Sequence, residues 1–77
     1  MDIKDRVGQR LKALRKERGM TQEKLSFESD VDKTYISEVE NGKRNISMVN
    51  LEKLILTIGY SLKEFFDDES FQENFDS

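Results

Sequence analysis

The sequence predicts an all-α domain built as a compact bundle of five helices. The chain of 77 residues contains no proline, and it sustains no alternation of apolar and polar residues of the kind that marks a strand. Three of its four glycines, Gly19, Gly42 and Gly59, stand where a helix should stop. We therefore expect one domain over residues 1–66, followed by an acidic, flexible tail over residues 67–77.

Apolar spacing defines the first helix, which should run from about Lys4 to Arg18. Val7, Leu11 and Leu14 lie four and three residues apart, and this spacing places them on one face of a helix. Arg18 followed by Gly19 is a typical helix end, because a cation suits the C-terminus and glycine readily adopts the left-handed conformation there.

Capping residues mark the starts of the other four helices. The second helix should begin at Thr21 and end near Ser29, and the third should begin at Asp32 and end near Asn41. The fourth should run from Ser47 to Gly59, and Ser61–Glu64 has the pattern of a capping box that opens a short fifth helix. The residues expected to face the core from the third and fourth helices are Ile36, Val39, Leu51, Leu54, Ile55 and Ile58.

The composition removes several function classes. The chain has no cysteine and no histidine, so it lacks thiolate metal ligands, the commonest metal ligand and the commonest general base. No apolar run reaches the roughly 20 residues of a membrane span, and the charged start leads into no signal peptide. We expect a cytoplasmic protein that is not an enzyme, with no cofactor, no metal, no membrane contact and no small-molecule ligand.

The short connection between the second and third helices suggests a function. Only Ser29–Val31 separates them, and two short helices joined by a tight turn form a helix-turn-helix. The turn requires a residue that tolerates positive φ, which Asp30 does because its carboxylate can bond locally. Val31 should then insert into the core. The third helix should present a polar outer face formed by Lys33, Thr34, Ser37 and Glu38.

Charge leaves two functions open. The formal net charge is −3, but without the five acids of the tail residues 1–66 carry 13 basic and 11 acidic residues, which is compatible with DNA binding. Six acids against two lysines in residues 22–40 favour an alternative, a protein-interaction module such as an antitoxin or adaptor. In that case Phe71 or Phe75 of the tail would hold the partner.

Three segments, Thr21–Ser26, Val31–Ser37 and Glu40–Arg44, resemble the phage-repressor type of helix-turn-helix, the Cro/C1 or XRE-like family. The stretch Thr34–Ser47, followed by Asn50–Lys53, is similar in particular to controller proteins of restriction–modification systems. The resemblance implies a lambda-repressor-like domain and a transcriptional regulator that binds double-stranded DNA as a homodimer on a palindromic operator. Such a regulator blocks RNA polymerase or contacts it, depending on the position of the operator.

The resemblance also implies roles for individual residues. The third helix should enter the major groove, with Lys33, Thr34, Ser37 and Glu38 at base edges. The alternative is a solvated helix face without a partner. Arg15 and Glu40 should form a partly buried ion pair that fixes the angle of the recognition helix. Phosphate contacts are expected from Gln22, Tyr35, Asn41, Lys43, Arg44 and Asn45.

Apolar residues beyond the apparent need of a small core predict self-association. Pairing through the fourth and fifth helices would place two recognition helices about one DNA turn apart, ~34 Å. The alternative is that the fifth helix simply closes the core of the monomer. The residues expected in the dimer interface are Ile55, Leu56, Tyr60, Leu62, Phe65 and Phe66.

Overall fold

The computed structural model describes residues 1–73, and within that range it contains five α-helices and no strand. The predicted fold class is confirmed, and the helix ends lie close to the predicted ones. A short 3₁₀ turn follows the last helix. The elements are α1 Ile3–Glu17, α2 Gln22–Ser29, α3 Lys33–Glu40, α4 Met48–Ile58, α5 Leu62–Phe66 and the 3₁₀ turn Glu69–Phe71.

Local hydrogen bonds at the helix ends explain why these boundaries are sharp. The side chain of Thr21 accepts a hydrogen bond from the Lys24 amide at 3.0 Å, which satisfies one of the free N–H groups of the first turn. Ser61 and Glu64 form the predicted capping box at the start of α5. At the other end, the glycine after α4, Gly59, has a φ of 107°, a backbone conformation that glycine adopts without steric cost.

The core lies where the helices converge. α1 packs against α3 and α4, α2 packs against the same two helices, and α5 packs against α4. Within residues 1–73, no helix is both long enough and apolar enough to cross a membrane. The side chains that are almost completely removed from solvent are Leu11, Leu25, Ile36, Val39, Leu54, Ile55 and Phe65.

The first part of the acidic tail is docked on the domain. Phe71 lies against Phe65 and Phe66, with ring centroids 5.8 Å and 4.9 Å apart. An aromatic ring that covers other aromatic rings gains free energy from burial and from edge-to-face packing, and the flexibility expected of residues 67–77 stays a prediction. The predicted role of Phe75 concerns a residue outside the described part of the chain.

Arg10 holds the docked segment from the side of α1. Its Nε donates to the Phe65 carbonyl at 2.8 Å, and Nη2 donates to the Glu64 carbonyl at 2.9 Å. These carbonyls belong to the last turn of α5, where intrahelical donors run out. A third contact joins Arg10 Nη1 to Asp68 Oδ1 at 3.4 Å. One arginine therefore caps α5 and positions the start of the tail.

Two hydrogen-bonded carboxylates predict a loss of stability in acid. The Ser61 amide, together with the Ser61 hydroxyl, holds the pKa of Glu64 below its ordinary value of 4.5. The Ser70 hydroxyl, followed by the Ser70 amide, holds the pKa of Asp68 below its ordinary value of 3.8. Because folding lowers both pKa values, these contributions are present above the ordinary values and are lost as pH falls through the lowered ones.

We expect the thermal midpoint to fall between about pH 5 and about pH 2, partly through these two groups. Ser70→Ala, which removes the hydroxyl that does most to lower the pKa of Asp68, should lower the midpoint near neutral pH and should converge on the unmodified protein in acid. Thermal melts followed by circular dichroism at several pH values provide the measurement. A difference between variant and parent that is constant across the whole pH range would contradict the assignment.

Candidate nucleic-acid interface

The turn between α2 and α3 is held by short-range hydrogen bonds. Asp30 adopts the left-handed conformation, with a φ of 60° and a ψ of 31°, as the sequence predicts for this position. Its amide donates to the Ser26 carbonyl at 2.9 Å, and the Ser26 hydroxyl donates to the Val31 carbonyl at 2.6 Å. Ser26 therefore ties the two sides of the turn together.

A buried ion pair connects α1 to the end of α3. Arg15 Nε lies 2.7 Å from Glu40 Oε2, and Arg15 Nη2 lies 2.9 Å from Glu40 Oε1. The two residues are only 6% and 5% exposed. The hydrogen bond to Glu40 raises the pKa of Arg15 above its ordinary value. A two-point contact between a planar guanidinium and a carboxylate fixes orientation as well as distance, so it sets the angle of α3.

Neighbouring groups complete the hydrogen bonding of this pair. Arg15 Nη1 donates to the Met20 carbonyl at 2.7 Å, which fixes the connection between α1 and α2. The amide nitrogen of Gln22 donates to Glu40 Oε1 at 3.0 Å. Gln22, predicted at a phosphate, thus supports the ion pair in the structure, and its contact with DNA stays a prediction.

The closest approach of α1 to α3 occurs at Gly8. A Cβ atom added there would overlap the Val39 carbonyl oxygen and would lie 3.0 Å from the Glu40 carbonyl oxygen. Only a residue without a side chain allows this packing. The sequence offered one signal, a glycine in the middle of an otherwise regular helix, where glycine is unfavourable unless packing requires it.

The outer face of α3 brings together the four predicted base-contacting residues. Lys33 and Thr34 are exposed, whereas Ser37 and Glu38 are half-buried. The inner face, with Ile36 at 0% exposure, packs in the core. The predicted separation of a polar outer face from an apolar inner face is therefore present in the helix.

Acidic side chains accompany two of the cations on this surface. Lys33 Nζ lies 3.4 Å from Glu23 Oε1 of α2, and Arg44 Nη1 lies 2.7 Å from Glu38 Oε1. Neither pair was predicted from the sequence, where these residues were assigned roles one by one. The pairs join neighbouring elements through long side chains, which residue spacing alone does not place.

The edge of α3 is anchored to α4 through Tyr35. Its hydroxyl accepts hydrogen bonds from the Ser47 amide at 3.4 Å and from Asn50 Nδ2 at 3.3 Å, and the Arg44 guanidinium lies 4.8 Å from the ring centroid. A phenol has one proton to donate and two lone pairs. With both lone pairs directed to protein donors, the proton remains suited to a phosphate oxygen. This contact of Asn50 was not predicted from the sequence.

The remaining predicted phosphate contacts lie in the segment after α3. Asn41, Lys43 and Asn45 are all exposed. Gly42, with a φ of 72°, redirects the chain there. Within the described residues, no cluster of histidine, cysteine, aspartate or glutamate is arranged to hold a metal ion. The segment after α3 therefore offers hydrogen-bond donors and the positive charge of Lys43 to a ligand.

Comparison with known proteins identifies the family. A family model described as helix-turn-helix matches residues 11–65, which include α2, the turn and α3. The chain belongs to the helix-turn-helix family. Among its relatives is the control protein C.MunI from a Mycoplasma species, which is 52% identical over 68 residues that cover 87% of this chain and 92% of the relative.

Solved structures agree with this assignment. The restriction–modification controller protein C.AhdI from Aeromonas hydrophila superposes with a TM-score of 0.78 at 41% identity, covering 82% of this chain and 96% of that one. The controller protein C.Esp1396I, solved as a tetramer in complex with its natural 35 base-pair operator, superposes with a TM-score of 0.81 at 36% identity. That match covers 86% of this chain and 87% of the C.Esp1396I chain.

In this helix-turn-helix protein, the structure corrects part of the predicted dimer interface. Ile55 is 1% exposed and Phe65 is 0% exposed, so both fill the core of a single chain and cannot reach a partner. Tyr60 is half-buried and lies under the Arg18 guanidinium, 4.4 Å from ring centroid to Cζ. The alternative that the fifth helix closes the monomer core holds for Phe65.

Other apolar side chains of the helix-turn-helix protein do face solvent. Leu56, Leu62 and Phe66 are 58%, 37% and 42% exposed. Leu62 and Phe66 line a groove of about 550 Å³, whose wall also includes the exposed residues Met48 and Val49. Met48 and Val49 were not predicted at this surface, although both are apolar and lie outside the inward stripe of α4.

Proposed function

We propose that this chain is a sequence-specific transcriptional regulator that binds operator DNA as a homodimer, in the manner of a restriction–modification controller protein. The observation that carries the proposal is the outer face of α3. It presents Lys33 and Thr34 to solvent, while the Arg15–Glu40 ion pair fixes the helix from behind. The similarity to C.MunI and C.AhdI supports the same conclusion, as does the complex of C.Esp1396I with its operator.

The chemistry of the outer face fits the major groove. Lys33 can donate to O6 or N7 of guanine, Thr34 can place its methyl group against thymine, and Glu38 can accept from N4 of cytosine. Ser37 lies between them on the same face. The Tyr35 hydroxyl and the exposed residues after α3 are placed to contact phosphates, which fix the register of the helix without reading sequence.

Exposed apolar residues support a homodimer. Exposed apolar side chains on a small domain favour association, and Leu56, Leu62 and Phe66 are such side chains here. Two subunits related by a two-fold axis would read a palindromic site. Such a regulator acts in the cytoplasm by occupying its operator, where it blocks or contacts RNA polymerase, and it carries out no catalysis.

Selection from a pool of random duplexes tests the proposal. The expected product is a palindrome whose half-sites lie about one helical turn apart. Affinity for the recovered duplex should fall steeply with salt, because phosphate contacts release counterions. Failure to enrich any sequence, together with weak binding that is independent of salt, would refute DNA recognition. Recovery of a single half-site bound by a monomer would refute the homodimer alone.

Two lysines should separate base reading from phosphate binding. Lys33→Ala should cost about 1–3 kcal/mol of binding free energy on the selected duplex and should relax the preference at one base pair. Lys43→Ala should weaken binding to all sequences alike and reduce the salt slope by about one. Titration of both variants against single-base-pair variants of the selected duplex gives the measurement. Identical profiles for the two variants would contradict the assigned roles.

A further inference from the structure

We propose that Glu38 acts as an electrostatic filter that suppresses binding to unrelated DNA by holding Arg44 until the correct base pair is present. This inference rests on the proposed function as a DNA-binding regulator. In this exchange, Glu38 passes from Arg44 to a base and Arg44 passes from Glu38 to a phosphate. The proposal therefore adds a second role to the predicted base contact of Glu38. Its physical basis is the geometry of Glu38, Arg44 and Tyr35 on the surface of the free protein.

The pair between Glu38 and Arg44 is the tightest ion pair on the exposed surface of the described chain. The two side chains are 41% and 51% exposed, yet their charged atoms lie 2.7 Å apart. By contrast, the surface pair Lys24–Glu28 has a separation of 3.8 Å. Charge-assisted hydrogen bonds at the shorter distance are stronger, so Arg44 is paired with Glu38 in the free protein.

Tyr35 keeps Arg44 on the recognition surface. The guanidinium lies 4.8 Å from the Tyr35 ring centroid, and a cation over an aromatic face is attracted by the ring. If Glu38 released it, Arg44 would still lie beside the edge of α3 and within reach of the DNA backbone. Glu38 therefore controls whether that charge is available.

Unrelated and specific DNA should affect the pair differently. On an arbitrary sequence, a phosphate that takes Arg44 leaves the Glu38 carboxylate without a donor and close to other negative charges, which opposes binding. On the specific sequence, the N4 amino group of cytosine donates to Glu38. Arg44 can then move to a phosphate while every charged group keeps a partner. The filter thus penalises wrong sequences more than the right one.

A second cation on this surface, Lys33, is also paired with a carboxylate in the free protein. Lys33 Nζ lies 3.4 Å from Glu23 Oε1, although the Glu23 side chain is 79% exposed. The longer distance and greater exposure predict a weaker effect than that of Glu38, because solvent screens an exposed pair. Glu38 is therefore the residue to test.

The experiment compares Glu38→Gln with Glu28→Gln, a control that removes the same charge from the Lys24 pair on α2. Each protein is titrated with the duplex recovered from random selection and with an unrelated duplex of equal length and composition, over a range of salt. Glu38→Gln should raise affinity for the unrelated duplex about eightfold at roughly 0.1 M salt, the gain from one more phosphate contact with a slope near −0.9. The slope of log affinity against log salt concentration should steepen by about 0.9. Glu28→Gln should leave both the affinity and this slope nearly unchanged.

The ratio of selected to unrelated affinity decides the outcome. A several-fold fall in this ratio for Glu38→Gln alone supports the filter. Equal gains on both duplexes, or no change in the salt slope, would overturn it. Equal effects of Glu38→Gln and Glu28→Gln would show that only the net charge of the protein matters. That result would also overturn the proposed filter. If the unmodified protein prefers no duplex, the proposed function fails first, and selection shows this before any variant is made.

Discussion

Glu40→Ala is expected to destabilise the folded domain by about 3–5 kcal/mol, because it leaves a buried charge without its partner. Arg15 is 6% exposed and donates hydrogen bonds from Nε and Nη2 to the Glu40 carboxylate. The substitution also removes the acceptor of the Gln22 amide. Since small domains are stable by only about 5–15 kcal/mol, much of the protein could unfold at ordinary temperature. Urea unfolding followed by circular dichroism measures the loss.

A double substitution separates the cost of an unpaired buried charge from the contribution of the ion pair itself. In Arg15→Met with Glu40→Leu, no unpaired charge remains, so stability should recover most of what Glu40→Ala loses. The control Glu28→Gln, which alters an exposed pair, should change stability by less than about 1 kcal/mol. A loss below about 1 kcal/mol for Glu40→Ala would show that the pair contributes nothing beyond an ordinary surface ion pair.

Local signals explain how much of this structure the sequence predicts. Thr21 and Ser61 mark helix starts because their hydroxyls satisfy amides within three residues. Asp30 is predicted at positive φ because the turn leaves no other backbone choice. These features depend on nearby residues, so reading along the chain finds them.

Features that depend on distant residues escape the same analysis. The sequence suggests that Phe65 belongs to an exposed apolar patch, but the five residues of α5 are too few to show which face is inward. The docked tail depends on Arg10, which contacts carbonyls 54 and 55 residues away. The Glu38–Arg44 pair joins residues only six apart, but it depends on the path of the chain after α3, which residue spacing does not give.

Gly8→Ala is expected to destabilise the domain by up to about 2 kcal/mol, because forcing extra atoms into a packed interface usually costs about 1–3 kcal/mol and helix propensity returns about 1 kcal/mol. Two effects oppose each other. Alanine favours a helix interior by about 1 kcal/mol over glycine. However, the new methyl group would overlap the Val39 carbonyl oxygen and crowd the Glu40 carbonyl oxygen. Backbone atoms held by a helix cannot move aside as a flexible side chain can, so crowding should outweigh the gain in helix propensity.

The reverse substitution in the same helix isolates the propensity effect. Ala13 is exposed on α1, and Ala13→Gly should cost about 1 kcal/mol through helix propensity alone. Adding that value to the measured destabilisation by Gly8→Ala gives the cost of crowding at the α1–α3 contact, because the net loss is the crowding cost less the propensity gain. The crowding should also displace the end of α3, so affinity for the selected duplex should fall more than affinity for an unrelated one. A Gly8→Ala protein more stable than the parent would show that α1 and α3 can separate freely, and the fixed angle of the recognition helix would then have to rest on the Arg15–Glu40 pair alone.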